Sequence, residues 1–285
     1  MLCGMGTREE NILSKSKDAI WGKEERRRVL ITGGAGYVGS AVNRVLVDDG
    51  YPVAILDKEF GADAGDEKTM KRALEDVDVI IPLASMVGAQ VCNANPEEAR
   101  RVNVGTIEML LKLRKKHQLI VFPTSGSTGS EYGRTKSEAE TLVMKSVNAI
   151  SVCLATVFGV SPRMRLNSFV NYFVYEAVTK GELIVYDKHL RRNYVHVMDV
   201  ALAVKHCVEH SGTMLGKSYN CCLQGVHHSK EEIAKMIKEK VPGLKIRYES
   251  GRSDMDHQSY YMDNHMFVVT RGLEDGITEL IKEFS

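Results

Sequence analysis

The sequence predicts an α/β fold: a doubly wound parallel sheet with a smaller C-terminal lobe. Three observations carry that expectation. Short apolar runs alternate with helical segments as far as about residue 160, a glycine-rich turn joins the first run to the first helix, and beyond that point the alternation loses its regularity.

The elements follow in order. Residues 1–28 are polar, end in the charge run KEERRR and are expected to form a mobile tail in which Trp21 supports at most a short helix. No apolar h-region and no apolar span of about 20 residues is found, so neither a secretory signal nor a membrane anchor is read. From Arg28 the pattern becomes strand (RVLIT), turn (GGAGYVG) and helix (SAVNRVLVDDG). Further apolar runs are YPVAIL, ending at Asp57, DVDVIIPLAS, ending at Ser85, LIVFPTS and AISVCLATVFG. Between them, NPEEARRVNVGTIEMLLKLRKKH offers Asn95 as a cap, Pro96 at the first helical position and Glu98 in the first turn. It then sets Ala99, Val102, Thr106, Leu110 and Leu113 along one face and ends in basic residues. In the second half, VNYFVYEAVTKGE reads as a helix and RRNYVHVMDVALAVKHCVEH as a strand entering a helix. HSKEEIAKMIKEK opens with a capping box from Ser229 to Glu232. The expected division is a dinucleotide-binding domain over 29–165, with return elements at about 193–222, and a smaller substrate-binding lobe over 166–285.

Composition narrows the partners. Thirty-eight Lys and Arg against 37 Asp and Glu leave a net charge of +1, which gives no broad electrostatic reason to bind nucleic acid or an anionic membrane. A small-molecule substrate is expected. Six cysteines without C-x-x-C spacing, several of them inside apolar runs, indicate a reducing, cytoplasmic setting and no disulfide framework. The pair His227 and His228 comes with no metal-ligand spacing, so no metal site is expected.

Gly33, Gly36 and Gly39 stand at G-x-x-G-x-x-G spacing between a strand and a helix. In that context the first permits a tight turn, the second lets backbone approach a pyrophosphate, and the third lets the helix pack on the strand. Asp57 at the end of the second strand can accept hydrogen bonds from an adenosine ribose and repel a 2′-phosphate, which favours NAD over NADP; neighbouring Lys58 opposes that discrimination.

In YGRTK, Tyr132 and Lys136 lie four apart, so on a helix they project from one face that Ala139 and Val143 continue. A phenol titrates near 10, and bringing it to about 7 requires roughly 4 kcal/mol of stabilisation from neighbouring positive charge. A tyrosine so tuned takes a hydroxyl proton while hydride leaves the same carbon for a nicotinamide. Ser125, at the C-terminal end of the fourth strand, is placed to hydrogen-bond that hydroxyl.

With TGGAGYVG, the strand-terminal Asp57, DVIIPLAS, Asn103 in NVGT, YGRTK and RRNYVHVMDV in this order, the sequence resembles an extended short-chain dehydrogenase/reductase of the NAD-dependent epimerase/dehydratase family. The resemblance runs from about residue 28 to the C-terminus. Within the family, DVIIPLASMVGAQVCNANP, LATVFGVSPRMRL and RRNYVHV are most similar to a branch containing C4-oxidising dehydrogenases of nucleotide-activated heptoses. It implies a Rossmann domain and Ser125, Tyr132 and Lys136 as the catalytic triad. It implies NAD held by Gly33, Gly36, Tyr37, Val38, Gly39, Asp57, Lys58, Asp63, Ala64, Leu83, Ala84, Ser85, Asn103 and Ala155, with Tyr132 and Lys136. It further implies a nucleotide sugar contacted by Ser125, Thr156 and Asn167, its diphosphate held by Arg192 and Arg252, and a homodimer formed by the helices beginning near Asn95 and Tyr132. Forked cationic donors suit a diphosphate on physical grounds as well.

Two departures from the family pattern bear on the outcome. Only GSTGSE separates Ser125 from Tyr132, where the family has a longer loop, so part of the substrate-pocket wall is expected to be missing. Gly126 and Ser127 stand where family dehydratases carry Asp-Glu, which argues against dehydration. The reading is NAD-dependent oxidation of a sugar carbon, C4, by an epimerase or dehydrogenase. The alternative is a dinucleotide-binding sensor or assembly protein with little catalysis.

Overall fold

The computed structural model describes residues 26–127, 129–250, 262–264 and 267–285. The chain opens with β1 (Val29–Thr32), the glycine turn, α1 (Tyr37–Asp48), β2 (Val53–Leu56), α2 (Glu67–Ala73) and β3 (Val79–Pro82). Three short helical pieces follow, α3 (Ala89–Ala94), α4 (Pro96–Arg100) and α5 (Thr106–Leu113), then β4 (Leu119–Ser125), α6 (Glu131–Met144) and β5 (Ala149–Leu154). β1, β3 and β4 are buried almost throughout, as continuous apolar runs covered on both faces must be.

These strands form a six-stranded sheet in the order β2-β1-β3-β4-β5-β9, parallel at every pairing, whose last member is β9 (Ser218–Cys221). On one face α1 and α8 (Val197–Glu209) contribute Leu46, Val42, Val200 and Val204 to a core with Ile31, Ile81 and Val152. On the other, Met70, Leu110, Ala139 and Val143 of α2, α5 and α6 pack on Leu30, Ile80 and Phe122. The strand order reverses direction between β1 and β3, and a crevice opens at the carboxyl ends of such strands.

A second layer holds β6 (Thr156–Phe158), α7 (Phe169–Lys180), β7 (Glu182–Tyr186), β8 (Arg191–His196), β10 (His227–Ser229), α9 (Lys230–Lys240), β11 (Lys245–Glu249) and α10 (Leu273–Phe284). β10-β8-β6 make one small sheet and β11-β7 another, around a core with Phe158, Val174, Ile233 and Ile277. The capping box forms as expected, with Ser229 accepting from the Glu232 amide and Glu232 returning to the Ser229 amide. α7 stops at Gly181, which sits in the left-handed region.

Three expectations change. The run AISVCLATVFG is two strands, broken at Ala155, because β5 belongs to the large sheet and β6 pairs with β8 in the small one. The segment from Asn95 is not one helix: a π-turn at Arg101–Gly105 separates α4 from α5, so Asn103 and Val104 are buried while Val102 is only half-buried. Asn95 does not cap, and its amide donates to Val91 O at 3.4 Å.

Candidate active site

The glycine turn is held from three sides. A Cβ on Gly33, whose φ is +72°, would lie 2.6 Å from Ala84 N, and one on Gly39 would collide with Gly33 O. The turn therefore packs against the end of β3 and against its own helix, at backbone distance. Asp57 joins in: Oδ2 accepts from Ala35 N at 3.0 Å and Oδ1 from Glu59 N at 3.0 Å. Its carboxylate thus fixes the turn as well as facing the cleft. Lys58 is turned toward Asp63, 3.2 Å away. The Gly65 amide, and then Lys58, hold the Asp63 carboxyl below the usual carboxylate range.

These groups line one end of a cavity of about 1600 Å³ that runs across the carboxyl ends of the strands. Of the residues expected to hold the cofactor, Gly33, Gly36, Tyr37, Val38, Gly39, Asp57, Lys58, Asp63, Ala64, Leu83, Ala84, Ser85 and Ala155 all border it, as do Tyr132 and Lys136. Asn103 does not. Its Oδ1 accepts from Met86 N at 2.7 Å and its Nδ2 donates to Met86 O and to Thr135 Oγ1, both at 3.0 Å, so it fixes the loop after β3 from behind. Tyr37 has a second task. Its hydroxyl donates to Gly159 O at 2.8 Å and accepts from Asn171 Nδ2 at 3.2 Å, tying the start of α1 to the second layer. Burial pushes the Tyr37 phenol up, so it stays protonated.

A bound dinucleotide fits these features. The turn is bare of side chains where backbone approaches, and Thr124 Oγ1, buried at the edge of the same cavity, has no hydrogen-bond partner among the described residues.

α6 begins at Ser130, whose hydroxyl accepts from Gly133 N at 3.2 Å, and the Glu131 amide donates to Asn93 Oδ1 of α3 at 2.8 Å. This start sets Tyr132 and Lys136 on the face toward the sheet. Lys136 is only 6% exposed, its Nζ is 4.7 Å from the centroid of the Phe122 ring, and burial pushes the ammonium down to about 8. Ser125 Oγ accepts from Ser127 N at 3.1 Å, which leaves its own O–H as a donor. Ser125, Tyr132 and Lys136 share the cavity with the glycine turn. The short connection beyond Ser125 borders an open hollow of about 680 Å³ shared with Asn93 and Pro96. A Cβ on Gly126 would lie 2.5 Å from Met262 Cε.

Thr156, Asn167 and Arg192, the residues expected to contact a substrate, border the same cavity. Asn167 Oδ1 accepts from Arg165 Nε at 2.8 Å. Arg252 lies outside the described residues. The sequence reading missed several lining groups: Arg101, Arg165, Tyr172, Tyr186 and Lys230. Arg165 lies within LATVFGVSPRMRL. Lys230 follows a capping serine, where a solvated lysine is the ordinary expectation, yet it is 4% exposed and its Nζ lies 5.7 Å from the Phe169 ring centroid.

Among the described residues no cluster of three metal-ligating side chains occurs, and no helix is long and apolar enough to cross a membrane.

The model of a family described as NAD dependent epimerase/dehydratase family matches residues 29–222. A curated relative, UDP-glucuronic acid decarboxylase 1 of Xenopus tropicalis, is 26% identical over 92% of this chain and 73% of its own length. Among solved structures, an epimerase of Methanothermobacter thermautotrophicus superposes with a TM-score of 0.80 at 21% identity, covering 91% of this chain and 92% of that one. The UDP-glucose 4-epimerase of Thermotoga maritima, solved with UDP-glucose, gives 0.77 at 20% identity over 90% and 98%. Decarboxylase and epimerase names on similar chains mean that the shared fold does not select the outcome of the reaction.

Proposed function

The chain belongs to the NAD-dependent epimerase/dehydratase family, and from that premise we propose that it oxidises a sugar carbon, C4, of a nucleotide sugar. The observation that carries the reading is the arrangement of Tyr132 and Lys136 on one face of α6, in the same cavity as Ser125, the glycine turn and Asp57. In this reading Ser125 donates to the reacting hydroxyl oxygen, and the Tyr132 oxygen, as phenolate, takes the hydroxyl proton. Lys136 supplies the positive charge that favours the phenolate. NAD, when bound, supplies the acceptor for the hydride that leaves the same carbon. Gly33, Gly36 and Gly39 approach its pyrophosphate, Asp57 its adenosine ribose, and Asp63 and Ala64 its adenine. Thr156 and Asn167 contact the sugar, and Arg192 and Arg252 hold the substrate diphosphate.

The hydride either returns to the other face of the carbon, as in an epimerase, or the product leaves as a keto sugar; the resemblance to the heptose branch favours the second. Gly126 and Ser127 offer no carboxylic acid pair at their positions, which supports redox chemistry without elimination of water. The short connection from Ser125 favours a second reading, a dinucleotide-binding protein with little catalysis. Incubating the protein with UDP-, GDP-, CDP- and dTDP-sugars separates the two, since any keto sugar or epimer removes the binding-only reading. Tyr132→Phe is expected to abolish turnover with NAD affinity unchanged; retained turnover overturns the mechanism.

Residues 29–165 with the return through α8 and β9 serve in this reading as the NAD-binding domain, and 166–285 as the substrate lobe. The protein works in the cytoplasm as a homodimer built from α4, α5 and α6. A species of 31.7 kDa alone at micromolar concentration in light scattering removes the dimer.

A further inference from the structure

α6 carries a third polar residue on the face of the catalytic pair. Tyr132, Lys136 and Glu140 follow one another at one-turn intervals. Glu140 is half-buried and reaches across to the sheet. Its Oε1 accepts from Ser151 Oγ of β5 at 2.6 Å and from Ser218 Oγ of β9 at 3.1 Å, so one carboxylate oxygen is fixed by two strands of the large sheet. Ser151 is fully buried. Two hydroxyl donors from the sheet hold this carboxylate in place one turn after the lysine.

We propose that Glu140 is a positioning residue for the Tyr132–Lys136 pair: clamped by Ser151 and Ser218, it supplies the fixed negative charge that keeps the buried Lys136 side chain cationic. The proposal rests on the reading of the site given above. Lys136 is buried against the Phe122 ring of β4, and Glu140 from its own helix is the charged group that bears on it among the described residues. The opposing element, β5, presents Ser151 and the Cys153 thiol, which burial, and then Glu140, pushes up to about 12, so it stays neutral and does not compete. β9 presents Ser218. Burial works against the lysine charge and Glu140 works for it. Without the carboxylate the lysine loses its proton at lower pH, and with it the charge that makes the tyrosine acidic.

Competitive acetylation of the whole protein with acetic anhydride across pH 6–10, read at Lys136 by mass spectrometry, follows the lysine without substrate. Glu140→Gln keeps the shape and an acceptor for both serines and removes the charge. Lys136 labelling at pH 7 is expected to rise roughly 3-fold, as a fall of about 0.5 in its titration midpoint requires. Glu140→Asp, which keeps the charge, is expected to label as the wild type does. Should the Gln variant fail to fold, Glu140→Met with Ser151→Ala removes both partners of the half-buried Ser151–Glu140 bond, keeps the space filled and carries the same expectation. An unchanged midpoint in a folded neutral variant, or an equal change in the Asp variant, overturns the proposal. With a substrate in hand, the alkaline loss of kcat is expected to set in at lower pH in Glu140→Gln. If no nucleotide sugar is turned over by the wild type, the functional reading falls, while the labelling result still decides the role of Glu140.

Discussion

The Lys136 ammonium lies 4.7 Å from the centroid of the Phe122 ring, so the sheet offers α6 an aromatic face where a lysine is buried. A cation over a ring gains about 0.5–2 kcal/mol, less than burial of the charge costs. The net effect is the depressed titration of Lys136, and it has a measurable sign.

Burial holds Lys136 at about 8 in the fold, against 10.5 in the unfolded chain. Between those values the unfolded chain binds more protons than the folded one, so stability rises with pH across that window; below it the full cost is present, on the order of 3 kcal/mol. Lys136→Met removes that cost. The variant is expected to melt above the wild type at pH 7, with the difference shrinking toward pH 10, and to lose at least about 100-fold in turnover. Paired melts at the two pH values check the first part and a progress curve the second.

Two glycines make a contrast. At Gly33 a methyl group meets Ala84 backbone with φ at +72°, and neither can yield; at Gly126 it meets the flexible end of Met262. Gly33→Ala is expected to cost about 1–3 kcal/mol and to abolish measurable dinucleotide binding, whereas Gly126→Ala costs less than about 1 kcal/mol. Urea unfolding and NADH fluorescence on the two variants decide it.

Asp57 holds the Ala35 amide as well as facing the cavity. Asp57→Ala is therefore expected to lower stability by about 1–3 kcal/mol in addition to weakening NAD binding. Asp57→Asn keeps an acceptor for the turn and removes the charge that repels a 2′-phosphate, so its ratio of NADPH to NADH affinity is expected to rise. Fluorescence titration with both nucleotides is the check.

His196 is buried, with Nδ1 accepting from Met198 N at 3.2 Å and Nε2 3.2 Å from Glu279 Oε2. Burial, opposed by Glu279, pushes the imidazole below its ordinary 6.5. The unfolded chain takes up a proton near pH 6.5 that the folded one refuses, so this group's contribution to stability is lost as pH falls from there. Unfolding midpoints are expected to drop between pH 7 and 5.5, with a slope from this group of at most about 1.4 kcal/mol per pH unit, and to drop less in a folded His196→Gln variant.

The parts of the site that depend on local order were legible in the sequence: the glycine turn after β1, Asp57 at the end of β2, Ser125 at the end of β4 and the helical pair in α6. Each is fixed by its neighbours in the chain. What periodicity does not report is which elements meet. The bond from Tyr37 to Gly159, the buried Lys230 and the clamp on Glu140 each join distant segments. The π-turn escaped for a different reason. A single extra residue in the turn shifts the buried face, and the apolar pattern of RRVNVGT fits an uninterrupted helix as well.

One of the two edge strands of the large sheet, β9, reaches its place only after the chain has built β6, α7, β7, β8 and α8. A fragment ending at residue 165 would bare the β5 edge from Ser151 to Leu154, and β5 is buried over most of its length. Such a naked border recruits copies of itself, so the half that carries the glycine turn would clump if made by itself. Synthesis must run well past α6 before that border is covered.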